Sequence, residues 1–540
     1  MRDHNSLDKV MGELYCSFLT DAECITGCDF TLERLHVKRI IGSSGRRGLL
    51  DFLEKHHKAL LLAFKDSFHP VFADVRLDSE GYPLFLSPLW HRLCYGSDES
   101  QTVQAAAVLR QATCLLRKWG EDVVSSGLSV KSFRERMSCK KGLPLDIVDQ
   151  IGAQLPFVIG DDDLKVDELD WPVITSGARA QRTDILDRLD NLNWIPGAEI
   201  FRKDGFVLRG EKPDERVNRL VEVPKDWSKN RLVFAEPSAS MNLQQSCRQW
   251  LEKRAVRARN RIAFDDQTFQ QSSLALPGRA SIDLSDASDH IRSSLIWRFL
   301  RQYPVLRSAL FWGRSHYASS NDGLIALGCF GTMGNATTFT VMSIFLVCLT
   351  RLAEELVHDY SHVKHIRAST VFGDDVVCDD YVAGTVLMLM TDCGLVPNQR
   401  KTYIGTRFRE SCGLDLFNGA DITPLYVKHV HIACREDVCR SVDQSNRAYA
   451  LHLWHTATYL AGLPARSLSV NVDEASLFSY TNASVTTGCA WDADLQRYVS
   501  SYKPHPRQRT KGRDSRLDLA YTLFHGYRVR GASQAPRGRR

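Results

Sequence analysis

The chain reads as an α+β fold with antiparallel strand pairing, and three stretches carry that reading. Val371-Phe372-Gly373-Asp374-Asp375-Val376-Val377 is a strand-turn-strand with two adjacent carboxylates at its tip. Ala280-Ser281-Ile282-Asp283 is a strand that ends in a carboxylate. A helix follows it, with Ile291, Leu295, Ile296 and Phe299 on one face. Between the two lies the glycine-rich loop Gly331-Thr332-Met333-Gly334-Asn335, which leads into an apolar helix from Phe339 to Leu356.

The elements follow from the N-terminus. Residues 1 to 200 look helix-rich, with amphipathic stretches at Leu49 to Phe64 and Thr102 to Trp119. His56-His57 sits between Lys55 and Lys58, which puts the pair on a solvated helix face. Gly42-Ser43-Ser44-Gly45-Arg46-Arg47-Gly48 reads as a plain loop, with a phosphate cradle as the alternative. Gly160-Asp161-Asp162-Asp163 repeats the Gly-Asp-Asp string but runs on into polar sequence without partner motifs, as a solvated loop does. Residues 200 to 262 are rich in both charges. Arg248, Lys253, Arg254, Arg257, Arg259 and Arg261 form a run with one acid, Glu252. On a helix, Arg254, Arg257 and Arg261 share a face, either for an RNA backbone or simply for solvent.

At 540 residues the chain is long enough for several sub-domains and a large core. A net charge of +5 says little about partners, but residues 501 to 540 carry eleven Lys or Arg against two Asp. That tail is either an arm on RNA phosphates or a solvated segment. Fifteen cysteines are scattered without a framework, so free thiols are expected. Cys24 with Cys28, and Cys434 with Cys439 near His429 and His431, lack the spacing of a zinc tetrad. No signal-peptide core follows Met1, and the longest apolar stretch, Thr338 to Leu349, is too short for a membrane span. A soluble protein is expected.

Two neighbouring carboxylates at roughly 4 Å repel by about 4 kcal/mol at a surface-like dielectric, so a site that keeps such a pair usually has a cation to relieve it. The order strand-carboxylate, Gly-Asn loop with helix, then carboxylate hairpin resembles motifs A, B and C of the palm domain of RNA-dependent RNA polymerases. Arg400-Lys401-Thr402 and Phe408-Arg409-Glu410-Ser411-Cys412-Gly413 resemble motifs D and E. Pro224-Lys225, Lys229, Arg231, Glu236-Pro237 and Met241-Asn242 resemble the basic finger segment. Together these look like the replicase catalytic subunit of the single-stranded RNA bacteriophages, the leviviruses, over about residues 220 to 430.

The resemblance implies a right-hand fold, with fingers and thumb around a palm built on an antiparallel sheet. It puts a helical region bridging fingers and thumb at 1–200, fingers at 201–280, the palm at 281–430 with a finger insertion near 300–330, and the thumb and basic tail at 431–540. The implied reaction is template-directed RNA synthesis from ribonucleoside triphosphates by two-metal nucleotidyl transfer. Asp283, Asp374 and the Leu284 carbonyl would ligate two Mg2+ ions, with Mn2+ as a substitute, and Asp375 would join them directly or through a neighbour. Lys225, Lys229 and Arg231 would meet the triphosphate, and Lys401 would protonate the pyrophosphate. Reverse transcriptases place a bulky aromatic five residues after the first aspartate. Here that position is Ser288, small and polar. Ser288, Asp289, Gly334 and Asn335 would read the nucleotide and its ribose, with the 2′-hydroxyl role open between Ser288 and Asp289. Cys412 is read as a packed thiol. The family further implies host elongation factors Tu and Ts, a small-subunit ribosomal protein and the bacterial cytoplasm. The alternatives are a reverse transcriptase-like polymerase and a non-catalytic RNA-binding assembly protein.

Overall fold

The structure, a computed structural model, describes residues 4–65, 72–120, 128–138, 142–165, 168–170, 179–180, 217–227, 230–361, 365–428, 430–432, 435–463, 489–492 and 497–500. It is a mixed helix and sheet chain in which most strand pairs are antiparallel.

The N-terminal region is helical: α1 (His4–Thr26), α2 (Thr31–Lys65), α3 (Ser87–Tyr95), α4 (Glu99–Cys114), α5 (Leu128–Ser138), α6 (Leu145–Gly152) and α7 (Leu155–Ile159). The stretch 42–48 is not a loop. It lies inside α2, which kinks at Gly45 with φ of 62°. Arg46 pairs with Asp8 of α1 at 2.9 Å. The His56-His57 pair is not on a solvated face either. Both are buried, at 3% and 1% exposure, because α2 is covered on that side. The His56 ring packs on Phe52 and Phe85, and burial lowers its pKa to about 4.

β1 (Val217–Pro224), β2 (Asn230–Ala235), α8 (Ser238–Arg254) and α9 (Gln267–Ala275) follow. Then come β3 (Arg279–Ile282), α10 (Ala287–His290), α11 (Ser293–Phe299), α12 (Pro304–Gly313), β4 (Tyr317–Ser320) and β5 (Gly323–Ala326). A four-stranded sheet runs in the order β2-β1-β4-β5, with β1 and β4 parallel. In the loop at 160–163, Asp163 accepts hydrogen bonds from the backbone of Val305 and Leu306, so it caps α12 while Asp161 and Asp162 face solvent.

α13 (Thr338–Ser361) is the central helix of the larger core. Its run from Val341 to Leu349 is buried all round, as a helix without a polar face must be. No helix among the described residues is long and apolar enough to cross a membrane. β6 (Thr370–Phe372), β7 (Asp375–Asp379) and α14 (Asp380–Asp392) follow, and the sheet β3-β7-β6 lies on α13. A second sheet, β10-β9-β8, is made from β8 (Phe408–Ser411), β9 (Leu414–Phe417) and β10 (Ala420–Asp421). Its Phe408 stacks on Phe64 of α2 at 4.3 Å, so the N-terminal helices and this hairpin share a second core. α15 (Arg435–Ala450) and α16 (Trp454–Gly462) complete that core. Asp21 of α1 accepts from the Thr456 backbone and hydroxyl at the start of α16.

Candidate active site

The site is built on strand register. β6 and β7 join through the two-residue loop Gly373-Asp374, closed by the Phe372–Asp375 pair. Gly373 has φ of +63° and Asp374 is not left-handed, the pattern of a type II′ turn, whose first position suits glycine. The Gly373 amide donates to Ser343 Oγ of α13 at 3.0 Å, which ties the turn to the core. β3 pairs antiparallel with β7, Ile282 opposite Val376. Asp283, one residue on, therefore comes level with Asp375.

The three carboxylates share one charge environment. Burial raises the Asp283 pKa, Asp374 adds to that, and Lys401 opposes it. Burial also raises Asp374, against the positive charges of Lys401, Lys225 and Arg231. Asp375 is pushed up to about 7 by burial and then by Asp374 and Asp283. Its Oδ2 accepts from the Cys412 amide at 3.1 Å, with the Cys412 thiol at 3.4 Å. Burial raises the Cys412 pKa and keeps that thiol protonated. Asn398 donates its amide to Asp283 Oδ2 at 2.8 Å, and its backbone N–H to the Asp283 carbonyl.

Cations surround this acidic centre. Lys225 and Arg231 flank the tip of the β1–β2 hairpin, exposed, and their charges reach Asp374. Lys229, in the same tip, lies outside the described residues, as do the 501–540 tail, His429, Cys434 and the Cys439 side chain. Lys401 stands 3.3 Å from Glu410. The negative charge of Glu410, and then of Asp283 and Asp375, raises its pKa.

On the other side, the loop before α13 is pinned to β2. Gly334 has φ of +125°, and a Cβ there would lie 2.1 Å from the Phe234 carbonyl oxygen. Asn335 spends its side-chain oxygen on Thr337, accepting from both amide and hydroxyl at 2.8 Å. Ser288 is half-buried and donates to Asp289 Oδ1 at 3.3 Å. Asp289 is buried and bound by Arg136 of α5 at 2.9 Å.

The basic run does not form the single helical face that its spacing suggests. α8 stops at Arg254, and a 3-10 turn over Ala255–Ala258 intervenes. Arg254 pairs with Glu168 at 3.0 Å and Arg261 with Glu354 at 2.8 Å, while Arg257 stays exposed. Sequence reasoning also missed Arg136 and Asn398, and it placed Glu410 in the motif E segment without giving it a role. Asn398 carried a local signal: it follows Pro397 and sits three residues before Lys401.

Three carboxylates raised by burial, Asp283 and Asp375 also by their aspartate neighbours, suit a hard divalent cation. Among the described residues, though, no three His, Cys, Asp or Glu side chains are gathered as a ready metal cage. Asp375 engages Cys412 instead.

Residues 211–452, which span this whole centre, match the family described as RNA replicase, beta-chain. The match takes in less than half of the chain. The chain is 35% identical over 255 residues to the RNA-directed RNA polymerase beta chain of Enterobacteria phage fr, covering 46% of this chain and 44% of that one. It is 34% identical over 258 residues to the corresponding chain of Escherichia phage MS2, again covering 46% and 44%. The matched part is thus less than half the length of these curated relatives. Among solved structures, the RNA-dependent RNA polymerase of a human picorbirnavirus aligns with a TM-score of 0.45 at 13% identity, over 65% of this chain and 76% of that one, too loosely to carry an argument. The family match takes in β1 through α15, and the N-terminal helices lie outside it.

Proposed function

We propose that the chain synthesises RNA on an RNA template from ribonucleoside triphosphates, as the polymerase subunit that copies a positive-strand phage genome in the cytoplasm of its bacterial host. The observation that carries this is the β3–β7 register, which sets Asp283 beside the Asp374–Asp375 turn, with Lys401, Lys225 and Arg231 acting on the same centre. In this reading the chain is a right hand. Residues 201–280 are fingers, 281–430 the palm with a finger insertion near 300–330, 431–540 the thumb and tail, and 1–200 bridge fingers and thumb.

Asp283 and Asp374, the Leu284 carbonyl and, through its hold on the turn, Asp375 would hold two Mg2+ ions, or Mn2+ in their place. When bound, these supply charge stabilisation for the attacking and leaving oxygens of an in-line displacement. Lys225, Lys229 and Arg231 draw in the triphosphate. The primer 3′-hydroxyl gives up its proton to solvent and its oxygen bonds to the α-phosphorus as the bond to pyrophosphate breaks, while Lys401 gives the pyrophosphate oxygen a proton that it regains from water. Asn398 and the Cys412 amide fix the carboxylates, so no reorganisation is needed at the moment of transfer. Ser288 in place of an aromatic leaves room for a 2′-hydroxyl, and Asn335 with Gly334 lines the same side. Arg136 already occupies Asp289, which favours Ser288 as the direct reader. Arg254, Arg257 and Arg261 lie near the RNA path, Arg257 with its charge free for a phosphate. Host elongation factors Tu and Ts and a ribosomal protein as partners rest on the levivirus resemblance alone.

Primer extension tests this, using the chain purified from its host with whatever co-purifies, an RNA template and Mg2+. Template-dependent incorporation of ribonucleotides is expected. A preference for deoxynucleotides would move the reading to a reverse transcriptase. RNA binding without incorporation would make it a non-catalytic RNA-binding protein.

A further inference from the structure

We propose that Arg110, on the N-terminal helix α4, is a positioning residue for nucleotidyl transfer that acts through Glu410 on Lys401. The inference rests on the polymerase reading above and gives the N-terminal helices a part in the chemistry.

In the β8–β9 hairpin, Glu410 and Asp415 are direct cross-strand partners. Two acids facing each other across a ladder repel, so the pairing needs a cation. Arg110 supplies it from 300 residues upstream. Its Nε donates to Asp415 Oδ2 at 2.7 Å, and one terminal nitrogen lies 3.5 Å from Glu410 Oε2. The guanidinium is 1% exposed, so it cannot turn to water instead. It also lies 5.4 Å from the centre of the Phe408 ring, which Phe64 stacks from α2. The strand carrying Glu410 is thus held against two N-terminal helices.

Glu410 in turn offers its other oxygen to Lys401, at 3.3 Å. Burial pushes the Glu410 carboxyl up, but Lys401 and Arg110 outweigh it and keep the group ionised. Lys401 therefore feels two sets of negative charge: Glu410, which it contacts, and Asp283 and Asp375, whose charges also raise its pKa. A lysine ammonium on a flexible stem goes to the stronger partner. Without an ionised Glu410, that partner is the aspartates, where Lys401 would compete with a metal ion and be lost as a donor. Glu410 holds it back, and Arg110 keeps Glu410 charged and in place. A purely structural pair would need Asp415 alone, and the second arm to Glu410 is what ties the helix to the lysine.

A double-mutant cycle on single-nucleotide incorporation tests this. Arg110→Gln and Glu410→Gln should each lower the maximal rate about tenfold or more, within the 10²–10⁴ that a general acid supplies. The half-saturating nucleotide concentration and RNA affinity should change by less than about twofold, since the effect is on the transfer step. Arg110→Lys, which keeps the charge, should recover part of the rate. In a Lys401→Met background, both substitutions should lose their effect. Equal losses in both backgrounds would overturn the proposal and leave a structural ion pair. If Arg110→Gln does not fold, Glu410→Gln carries the cycle alone. Failure of the wild type to incorporate nucleotides would instead overturn the polymerase reading.

Discussion

Gly373→Ala is expected to destabilise the turn that aims Asp374, by an amount set by two separate costs. The backbone there is left-handed, at φ of +63°, which costs a non-glycine residue roughly 1–2 kcal/mol. The added Cβ would lie 2.6 Å from Cε2 and 3.0 Å from Cδ2 of Phe339. That ring is packed edge-on against Phe372 at 5.1 Å and cannot swing away freely, so overpacking adds roughly 1–3 kcal/mol. The sum is about 2–5 kcal/mol. Gly384→Ala in α14 is the control, since nothing lies within 4 Å of its new Cβ. It should be neutral or gain roughly 0.5–1 kcal/mol from helix propensity. Matched urea unfolding of both variants, with nucleotide incorporation on the same samples, separates them. Adding Phe339→Leu should return the steric share, as a favourable coupling of about 1–3 kcal/mol, and leave the backbone share. A Gly373→Ala protein as stable and active as the wild type, or one with no coupling to position 339, would refute this account of the turn.

Asp375 makes the stability of the metal-free protein depend on pH. Its folded pKa of about 7 lies above the ordinary carboxyl value, so folding favours the protonated form. The stability present below about pH 4 is lost as pH rises towards 7, by at most about 4 kcal/mol for a shift of about three units. In chelator, Asp375→Asn should flatten the curve between about pH 4 and 7, and an unchanged slope would assign it to another group. Asn335→Ala should narrow the preference for ATP over dATP, read from matched incorporation kinetics. An unchanged ratio would leave ribose reading to Ser288 or Asp289. Asn398→Leu should slow incorporation without weakening RNA binding, because Asp283 loses a 2.8 Å donor, and a full rate would show that Asp283 needs no such support.

What the sequence made legible was local. The β6–β7 hairpin, the strand ending at Asp283 and the apolar helix α13 each announce themselves within ten to twenty residues, through β-branched runs, a turn glycine and uninterrupted apolar residues. Their order named candidate residues before any contact was known, and the strand register brings Asp283 level with Asp375. What failed depended on distant neighbours. His56 and His57 read as solvated because their lysine flanks are polar, yet Phe85, Thr113 and Cys114 cover them. Gly42 to Gly48 read as a loop because the glycines are dense, but the chain is helical on both sides of Gly45, the one non-helical residue, where two helical segments meet at a kink. Arg254 and Arg261 looked available until Glu168 and Glu354 arrived from other segments. The link from Arg110 to Glu410 crosses 300 residues and has no sequence signature at all.

The central claim is that Asp283 and Asp374 form one catalytic centre, and neutralising each at constant size tests it most directly. Asp374→Asn and Asp283→Asn, assayed for single-nucleotide incorporation in Mg2+ beside RNA binding by filter retention, should both abolish incorporation and leave RNA affinity nearly intact. Substantial incorporation by either variant would contradict the assignment.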